Sequence, residues 1–296
     1  MSAKLSVAQP LSLSKVKENL RTRVVGHPLV YFRELTSTNQ MAKLFAENGL
    51  REGTVVIAER QTEGRGRLDR EWVSPPEGLW FSTVLRPRVH ARHLPKLTLL
   101  ASVAVAKTVR RLYGLMAEIK WPNDVLVNGK KVCGILTEAE TKGESTEFAV
   151  VGIGVNANFD LSALPKSLES SSTTLKHELK REIRREVLLS SLLEEMESVY
   201  ELFSRERFDQ ILDEWRNLAG MLGASVEIKV DEEDVQGQAV DIDQDGALIL
   251  RLEDGVTRTV AFGDLTVLKP AISKQGSTRS YCIEFLSPNP NPTERI

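Results

Sequence analysis

Val150-Val151-Gly152-Ile153-Gly154-Val155-Asn156-Ala157-Asn158 is the stretch on which the fold class turns. A strand that ends in Gly-x-Gly-x-x-Ala is half of a dinucleotide-binding fingerprint. The other half is a helix that opens at once, so that its N-terminus meets the pyrophosphate. Here the chain continues Phe159-Asp160-Leu161-Ser162-Ala163-Leu164-Pro165, which reads as a loop. A doubly wound parallel sheet is therefore not expected. The glycines read instead as small residues that let a ligand lie against the end of a strand.

The flanking sequence mixes strands and helices. Upstream, Asn128-Gly129 is a two-residue hairpin signal between Val125-Leu126-Val127 and the apolar residues 132–136. Leu97, Leu100, Ala101, Ala104, Thr108 and Leu112 keep helical spacing, and Gly114 closes that helix. Residues 55–58 and 79–85 read as strands. Between the first strands Ser37 is placed to cap a helix, with Gln40 at the reciprocal capping position. Met41, Leu44 and Phe45 form its apolar stripe and Gly49 ends it.

Downstream, a Ser-rich loop over 167–174 precedes two helices. One runs through Val187, Leu188, Leu192, Met196 and Phe203, the other through Phe208, Ile211, Leu212 and Trp215. At Gly220 the pattern changes to short strands joined by Asp245-Gly246 and Asp254-Gly255, ending near Phe262. The fold class is therefore α+β: a mixed β-sheet domain with flanking helices, then a small β barrel. The divisions are an N-terminal arm over 1–27 with a short helix at 15–23, the mixed domain over 28–219, the barrel over 220–270, and a disordered Pro-rich tail over 271–296.

Across 296 residues the chain is 41% hydrophobic and 27% charged with a formal charge of -2, so no global field draws it to DNA or an anionic membrane. The arm is too short for a helix-turn-helix. No apolar run approaches about 18 residues, which leaves a cytoplasmic enzyme as the default. Cys133 and Cys282 stand far apart and read as free thiols. His90 and His93 have helical metal-ligand spacing, yet no neighbour completes a set, so they read as surface histidines.

Two further segments carry chemistry. Gln61-Thr62-Glu63-Gly64-Arg65-Gly66-Arg67-Leu68-Asp69-Arg70-Glu71-Trp72 alternates glycines with arginines and ends in a tryptophan. Arginine forks suit phosphate or carboxylate, and an indole face suits a base. A solvated basic loop is the plainer alternative, and a P-loop is excluded because no Gly-Lys-Ser/Thr follows. In Lys120-Trp121-Pro122-Asn123-Asp124 the lysine follows Ile119 in a short strand, as an anion contact or a salt-bridge partner. Asp124 could help hold magnesium or cap a turn, and the sequence does not choose.

Together these segments resemble the biotin protein ligase family. The matching residues are Ser37-Thr38-Asn39, Gln61 with Gly64-Arg65-Gly66-Arg67, Trp72, Lys120 to Asp124, Gly134-Ile135-Leu136-Thr137-Glu138 and Gly152 to Asn156, in the family's order. The resemblance implies a class II aminoacyl-tRNA synthetase-like catalytic domain and an SH3-like C-terminal barrel, in a form without the DNA-binding winged helix of some members. It implies ATP with Mg2+ as co-substrate, biotin as substrate, and a biotin carboxyl carrier domain as partner, with neither DNA nor membrane. A homodimer is left open. Lys120 and Arg67 are the implied catalytic residues. Ser37, Thr38, Asn39, Gln61, Gly64, Arg65, Gly66, Gly134 and Gly152 join them around biotin. Arg65, Arg67, Arg70, Trp72, Lys120, Asn123 and Asn156 would serve the nucleotide, and metal ligands are unassigned. The rivals are a lipoate protein ligase of related fold and a ligand-sensing regulator without catalysis.

Overall fold

The computed structural model describes residues 9–230 and 233–269. Its main sheet has seven strands, β1 (Leu29–Leu35), β2 (Val55–Gln61), β3 (Leu79–Leu85), β4 (Ala117–Lys120), β5 (Asp124–Val127), β6 (Lys130–Lys142) and β7 (Ser145–Val155). They lie in the order β1-β2-β3-β7-β6-β5-β4. The β1–β2 pair is parallel and the other five pairs are antiparallel, so the sheet is mixed. After Val155 the chain enters a loop with a single 3-10 turn, Leu161–Ala163, where a dinucleotide fold would open a helix.

Alternation along the strands feeds two faces. Val55, Ile57, Phe81 and Leu85 join the main core with α3 (Lys96–Tyr113), α6 (Arg185–Ser204) and α7 (Phe208–Leu218), while Val56, Val84 and Val150 meet α2 (Thr38–Glu47) on the other face. The sequence placed Met41, Leu44 and Phe45 on the buried stripe of α2. Met41 and Phe45 do pack against that face, half-buried, but Leu44 is 49% exposed, and the fully buried positions are Thr38, Asn39, Ala42 and Ala46. The two alanines let the helix approach the sheet, and its polar first turn then points inward. Nor does the capping box form. Ser37 holds the N-cap position without a side-chain bond, and Gln61 Oε1 accepts from the Thr38 backbone N–H at 2.8 Å.

The β5–β6 turn has Asn128 at φ 51° and Gly129 at φ 73°, as a type I′ hairpin requires. Strand β6 runs much further than residues 132–136, and β7 runs beside it. Their outer pairs, such as Glu140 with Phe148, lie beyond the apolar pattern that marks a strand in sequence. The arm is corrected too. Its helix α1 is Leu13–Asn19 rather than 15–23, because Leu20 is already extended. Val16, Leu20 and Val25 are buried in the main core, so this segment packs on α6 as part of the domain. The short helix α4 (Lys166–Glu169) interrupts what reads as a plain Ser-rich loop, and α5 (Leu175–Leu179) follows it.

Beyond α7, strands β8 (Ser225–Val230), β9 (Glu233–Ile242), β10 (Leu248–Arg251), β11 (Thr257–Val260) and β12 (Asp264–Lys269) form an antiparallel sheet in the order β11-β10-β9-β8-β12. The expected hairpin turns are present, with Gly246 at φ 85° and Gly255 at φ 83°. Strand β12 lies past the expected end at Phe262. Residues 271–296, including Cys282 and the expected tail, lie outside the described residues.

This sheet is anchored to the catalytic domain. Lys96, 1% exposed, reaches Asp245 Oδ1 at 2.9 Å and lies over the Phe208 ring at 4.8 Å. Trp121 Nε1 donates to Gly246 O at 3.1 Å, and Arg216 Nε to Asp241 at 2.7 Å. His93 is drawn into the same junction, half-buried with its ring 4.5 Å from Phe208, so it is not the surface histidine the sequence suggested; burial lowers its pKa. His90 is exposed.

Candidate active site

A cavity of about 240 Å³ opens where the first turn of α2 and the arginine loop lie over β6 and β7. Its polar end is closed by a continuous network. Gln61 Oε1 accepts from Thr38 N at 2.8 Å and Thr38 Oγ1 at 3.0 Å, and Gln61 Nε2 donates to Ser74 Oγ at 2.7 Å. Asn39 Nδ2 donates to Glu138 Oε2 at 2.7 Å and Leu136 O at 3.2 Å. Ser82 Oγ lies 2.6 Å from Asn39 Oδ1 and 2.7 Å from Thr38 Oγ1. Such a network fixes donor and acceptor directions before a ligand arrives. Sequence reasoning did not select Ser82, which lies mid-strand in an apolar run.

The glycines of the floor are there for side chains as much as for a ligand. A methyl at Gly152 would stand 2.0 Å from Asn39 Oδ1, at Gly154 2.4 Å from Trp72 Nε1, and at Gly134 2.8 Å from the Trp72 ring. Trp72 is thus seated on β6 and β7, with its Nε1 buried and unpaired.

The arginine loop is a hairpin-like turn. Trp72 N donates to Gly64 O at 2.8 Å and Gly66 N to Arg70 O at 2.7 Å. The left-handed positions are Leu68 (φ 53°) and Asp69 (φ 55°) rather than Gly64 or Gly66. Gly64 answers to close approach, since a methyl there would meet Trp72 O at 2.3 Å, whereas one at Gly66 would make only ordinary contact with Arg70 O at 3.5 Å. Gly64 itself is absent from the cavity lining. Arg67 Nη1 donates to Asn123 Oδ1 at 3.3 Å and Gly263 O at 3.2 Å, and Arg70 pairs with Asp264. Burial lowers the Arg67 pKa, against the pull of Asp264 and Asp124. Arg65, Arg67, Arg70 and Asn123 line the cavity.

Two expected residues stand elsewhere. Lys120 is half-buried beside the cavity without lining it; burial lowers its pKa, and Asp124 opposes that shift. Asn156 is 4% exposed and also outside the lining. Its Nδ2 donates to Lys131 O and Thr173 O, because the loop after α4 folds over this strand end. Asn156 thus ties the end of β7 to the segments at Lys131 and Thr173. Lys131, which no motif singled out, does line the wall and pairs with Asp124 at 2.7 Å.

Among the described residues no group of three His, Cys, Asp or Glu could hold a metal ion, so the donor set does not form a protein cage for magnesium. Magnesium accompanying a nucleotide is held largely by phosphate and water, and needs no such cage. Also among the described residues, no helix is long and apolar enough to cross a membrane. Cys133 is a buried free thiol whose pKa burial raises.

Comparison with known proteins adds to this geometry. Residues 31–156 match the Biotin/lipoate A/B protein ligase family, and residues 221–265 match the Biotin protein ligase C terminal domain. The bifunctional ligase/repressor BirA of Bacillus subtilis is 35% identical over 249 residues, covering 84% of this chain and 77% of that protein. The biotin–[acetyl-CoA-carboxylase] ligase of Paracoccus denitrificans is 34% identical, covering 73% of this chain and 90% of its own. A structure of biotin protein ligase from Aquifex aeolicus in complex with biotin and ATP superposes with a TM-score of 0.69 at 29% identity, covering 81% of this chain and 98% of that one.

Proposed function

Because this chain belongs to the biotin protein ligase family, we propose that it activates biotin with ATP and transfers it to a lysine of a biotin carboxyl carrier domain. The observation that carries the reading is the juxtaposition, in one cavity, of a preset polar end at Thr38, Asn39 and Gln61 with the arginines of the following loop. The polar end suits a neutral ring with donors and acceptors; the arginines suit phosphate.

In the first step a biotin carboxylate oxygen attacks the α-phosphorus of ATP. The bond to the β-phosphate bridging oxygen breaks, giving biotinyl-5′-AMP and pyrophosphate. In the second, the acceptor amine attacks the acyl carbon, AMP leaves, and the amine loses a proton. The protein's part is to hold two anions that repel each other and to stabilise charge at the α-phosphate. Lys120 and Arg67 take that part in this reading, with Arg65 and Arg70 on the phosphates and Trp72 offering its ring to the base. Ser37, whose hydroxyl is not used as a cap, and Gly152 complete the biotin end.

A class II synthetase-like catalytic domain, an SH3-like form for the C-terminal sheet, magnesium entering with ATP, and a cytoplasmic setting belong to the same reading. ATP–pyrophosphate exchange tests it, with biotin supporting exchange and lipoate or octanoate not. Absent exchange with biotin, or faster exchange with lipoate, overturns the assignment.

A further inference from the structure

Asn39 straddles three strands of the main sheet. Ser82 on β3, Gly152 on β7 and Leu136 on β6 pair in one row, and Asn39 lies over that row from the first turn of α2. The middle position has no side chain, so the amide settles directly onto the backbone. Its two ends meet partners of opposite kind. On the β6 side stand the Glu138 carboxylate, 2.7 Å from Nδ2, and Leu136 O at 3.2 Å. Both only accept, so the Nδ2 hydrogens are committed to them. On the β3 side the fully buried Ser82 hydroxyl donates to Oδ1 at 2.6 Å. The amide is thereby set one way round.

The proton directions at Thr38 follow in the same manner. Its backbone N–H can only donate, so Gln61 Oε1 accepts there, and it also accepts the Thr38 hydroxyl proton at 3.0 Å. Thr38 Oγ1 and Asn39 Oδ1 thus keep lone pairs and have no hydrogen to give. Ser82 Oγ stands 2.7 Å from the first and 2.6 Å from the second, which holds the two oxygens side by side. Thr38 and Asn39 line the cavity, whereas Ser82 and Glu138 do not.

We propose that Ser82 and Glu138 are positioning residues that clamp the Asn39 amide, so that its oxygen and that of Thr38 form a pair of acceptors for ring N–H groups, and that this clamp selects a cyclic urea over a ring without such donors. The proposal rests on the biotin reading above. An amide turned over would present Nδ2 at the same place, a donor facing a donor. A site built around a ligand's N–H rejects an analogue lacking it, because the site's own buried polar groups are then left unpaired.

Pyrophosphate exchange with biotin, desthiobiotin (which keeps the cyclic urea) and ATP varied separately tests the clamp. Ser82→Ala and Glu138→Ala each raise KM for biotin about threefold to tenfold, the scale of one hydrogen bond. They raise KM for desthiobiotin by the same factor and leave KM for ATP within about twofold. Glu138→Gln, whose side chain still accepts from Nδ2, restores KM for biotin. Glu138→Lys, which offers a donor where Nδ2 needs an acceptor, raises it most. Thr83→Val controls for damage to β3, since the Thr83 hydroxyl is buried beside Ser82 without a partner, and its KM for biotin stays at the wild-type value. Unchanged KM for biotin in both alanine variants, an equal rise in KM for ATP, or a Glu138→Gln enzyme as impaired as Glu138→Lys overturns the proposal. Glu138 is exposed, so its variants carry the test should Ser82→Ala fail to fold. Were the wild type inactive with biotin, the Asn39 side-chain amide would still report on the clamp by NMR. Its hydrogens exchange slowly in wild type and Glu138→Gln and faster in Glu138→Ala; equal exchange in all three overturns the clamp, so the two readings fail separately.

Discussion

Lys120 makes no hydrogen bond or ion pair among the described residues, and burial disfavours its charge while Asp124 favours it. A lysine kept this way is costly for folding and useful for an anion. Lys120→Ala is expected to slow adenylation by something like 10²–10³, the scale for losing one preorganised charge-stabilising donor. The melting midpoint should hold or rise. Single-turnover formation of the adenylate measures the first, and normal turnover would return Lys120 to a structural role. Glu197 is the opposite case. Burial alone would raise its pKa, but the backbone N–H groups of Arg23, Val25 and Val24 outweigh that and hold it below the ordinary carboxylate value. A depressed folded pKa contributes stability that is complete above the unfolded value and is lost as pH falls through the folded one. Glu197→Gln should therefore cost about 1–3 kcal/mol at pH 7. Its deficit should shrink as pH falls below about 4.5, the ordinary glutamate range; urea midpoints at pH 7 and pH 4 check the sign.

At the scale of elements, legibility followed how much each element depends on its own residues. The hairpin at Asn128-Gly129 and the helix closed by Gly114 were readable because each signal is local: two positive φ angles in the first, one left-handed cap in the second. The buried face of α2 was readable only in Met41 and Phe45, since its polar first turn is held by Gln61, 23 residues away, and its closest approach to the sheet is made by Ala42 and Ala46. The bulge that turns Lys131 into the cavity, where Val125 faces Cys133 and Leu126 faces Lys131, has no sequence mark, because Val132 and Cys133 look like ordinary strand residues. The glycines of the site were readable as needed, yet their reasons differ. Gly152→Ala would drive a methyl into Asn39 Oδ1, breaking contacts to Ser82, Leu136 and Glu138. A loss of about 1–3 kcal/mol follows from overpacking of this kind. Gly66→Ala meets nothing nearer than Arg70 O at 3.5 Å and should stay within about 0.5 kcal/mol of wild type. Thermal melts of the pair test this contrast, and equal losses would contradict it.

On the scale of the whole molecule, the arginine loop belongs to both domains. It leaves the main sheet after Gln61 and the chain re-enters that sheet at Leu79, but two of its arginines rest on the start of β12 in the C-terminal unit: Arg67 on Gly263 O, Arg70 on Asp264. What holds it is a contact nearly 200 residues away along the chain, which no local pattern could announce. That contact matters for chemistry because biotinyl-5′-AMP is a mixed anhydride. A site open to water or stray amines would lose it, and covering an intermediate with a segment of chain is one way to prevent such loss. If the loop covers the intermediate, Arg67→Gly removes a charge from the cover and a tie to the other domain together. It should release preformed adenylate faster while activation continues, so biotin should appear on unrelated lysine-rich proteins. Asp264→Ala separates the two effects, since it leaves every arginine in place and removes the anchor of Arg70. It should also shorten adenylate retention, by less than Arg67→Gly, with KM for biotin nearly unchanged. The readout is the dissociation rate of preformed adenylate, beside bystander labelling. Retention equal to wild type in both variants would show that the loop is no cover. Retention lost in Arg67→Gly alone would place the whole effect in the Arg67 side chain and leave the C-terminal anchor without a share in it.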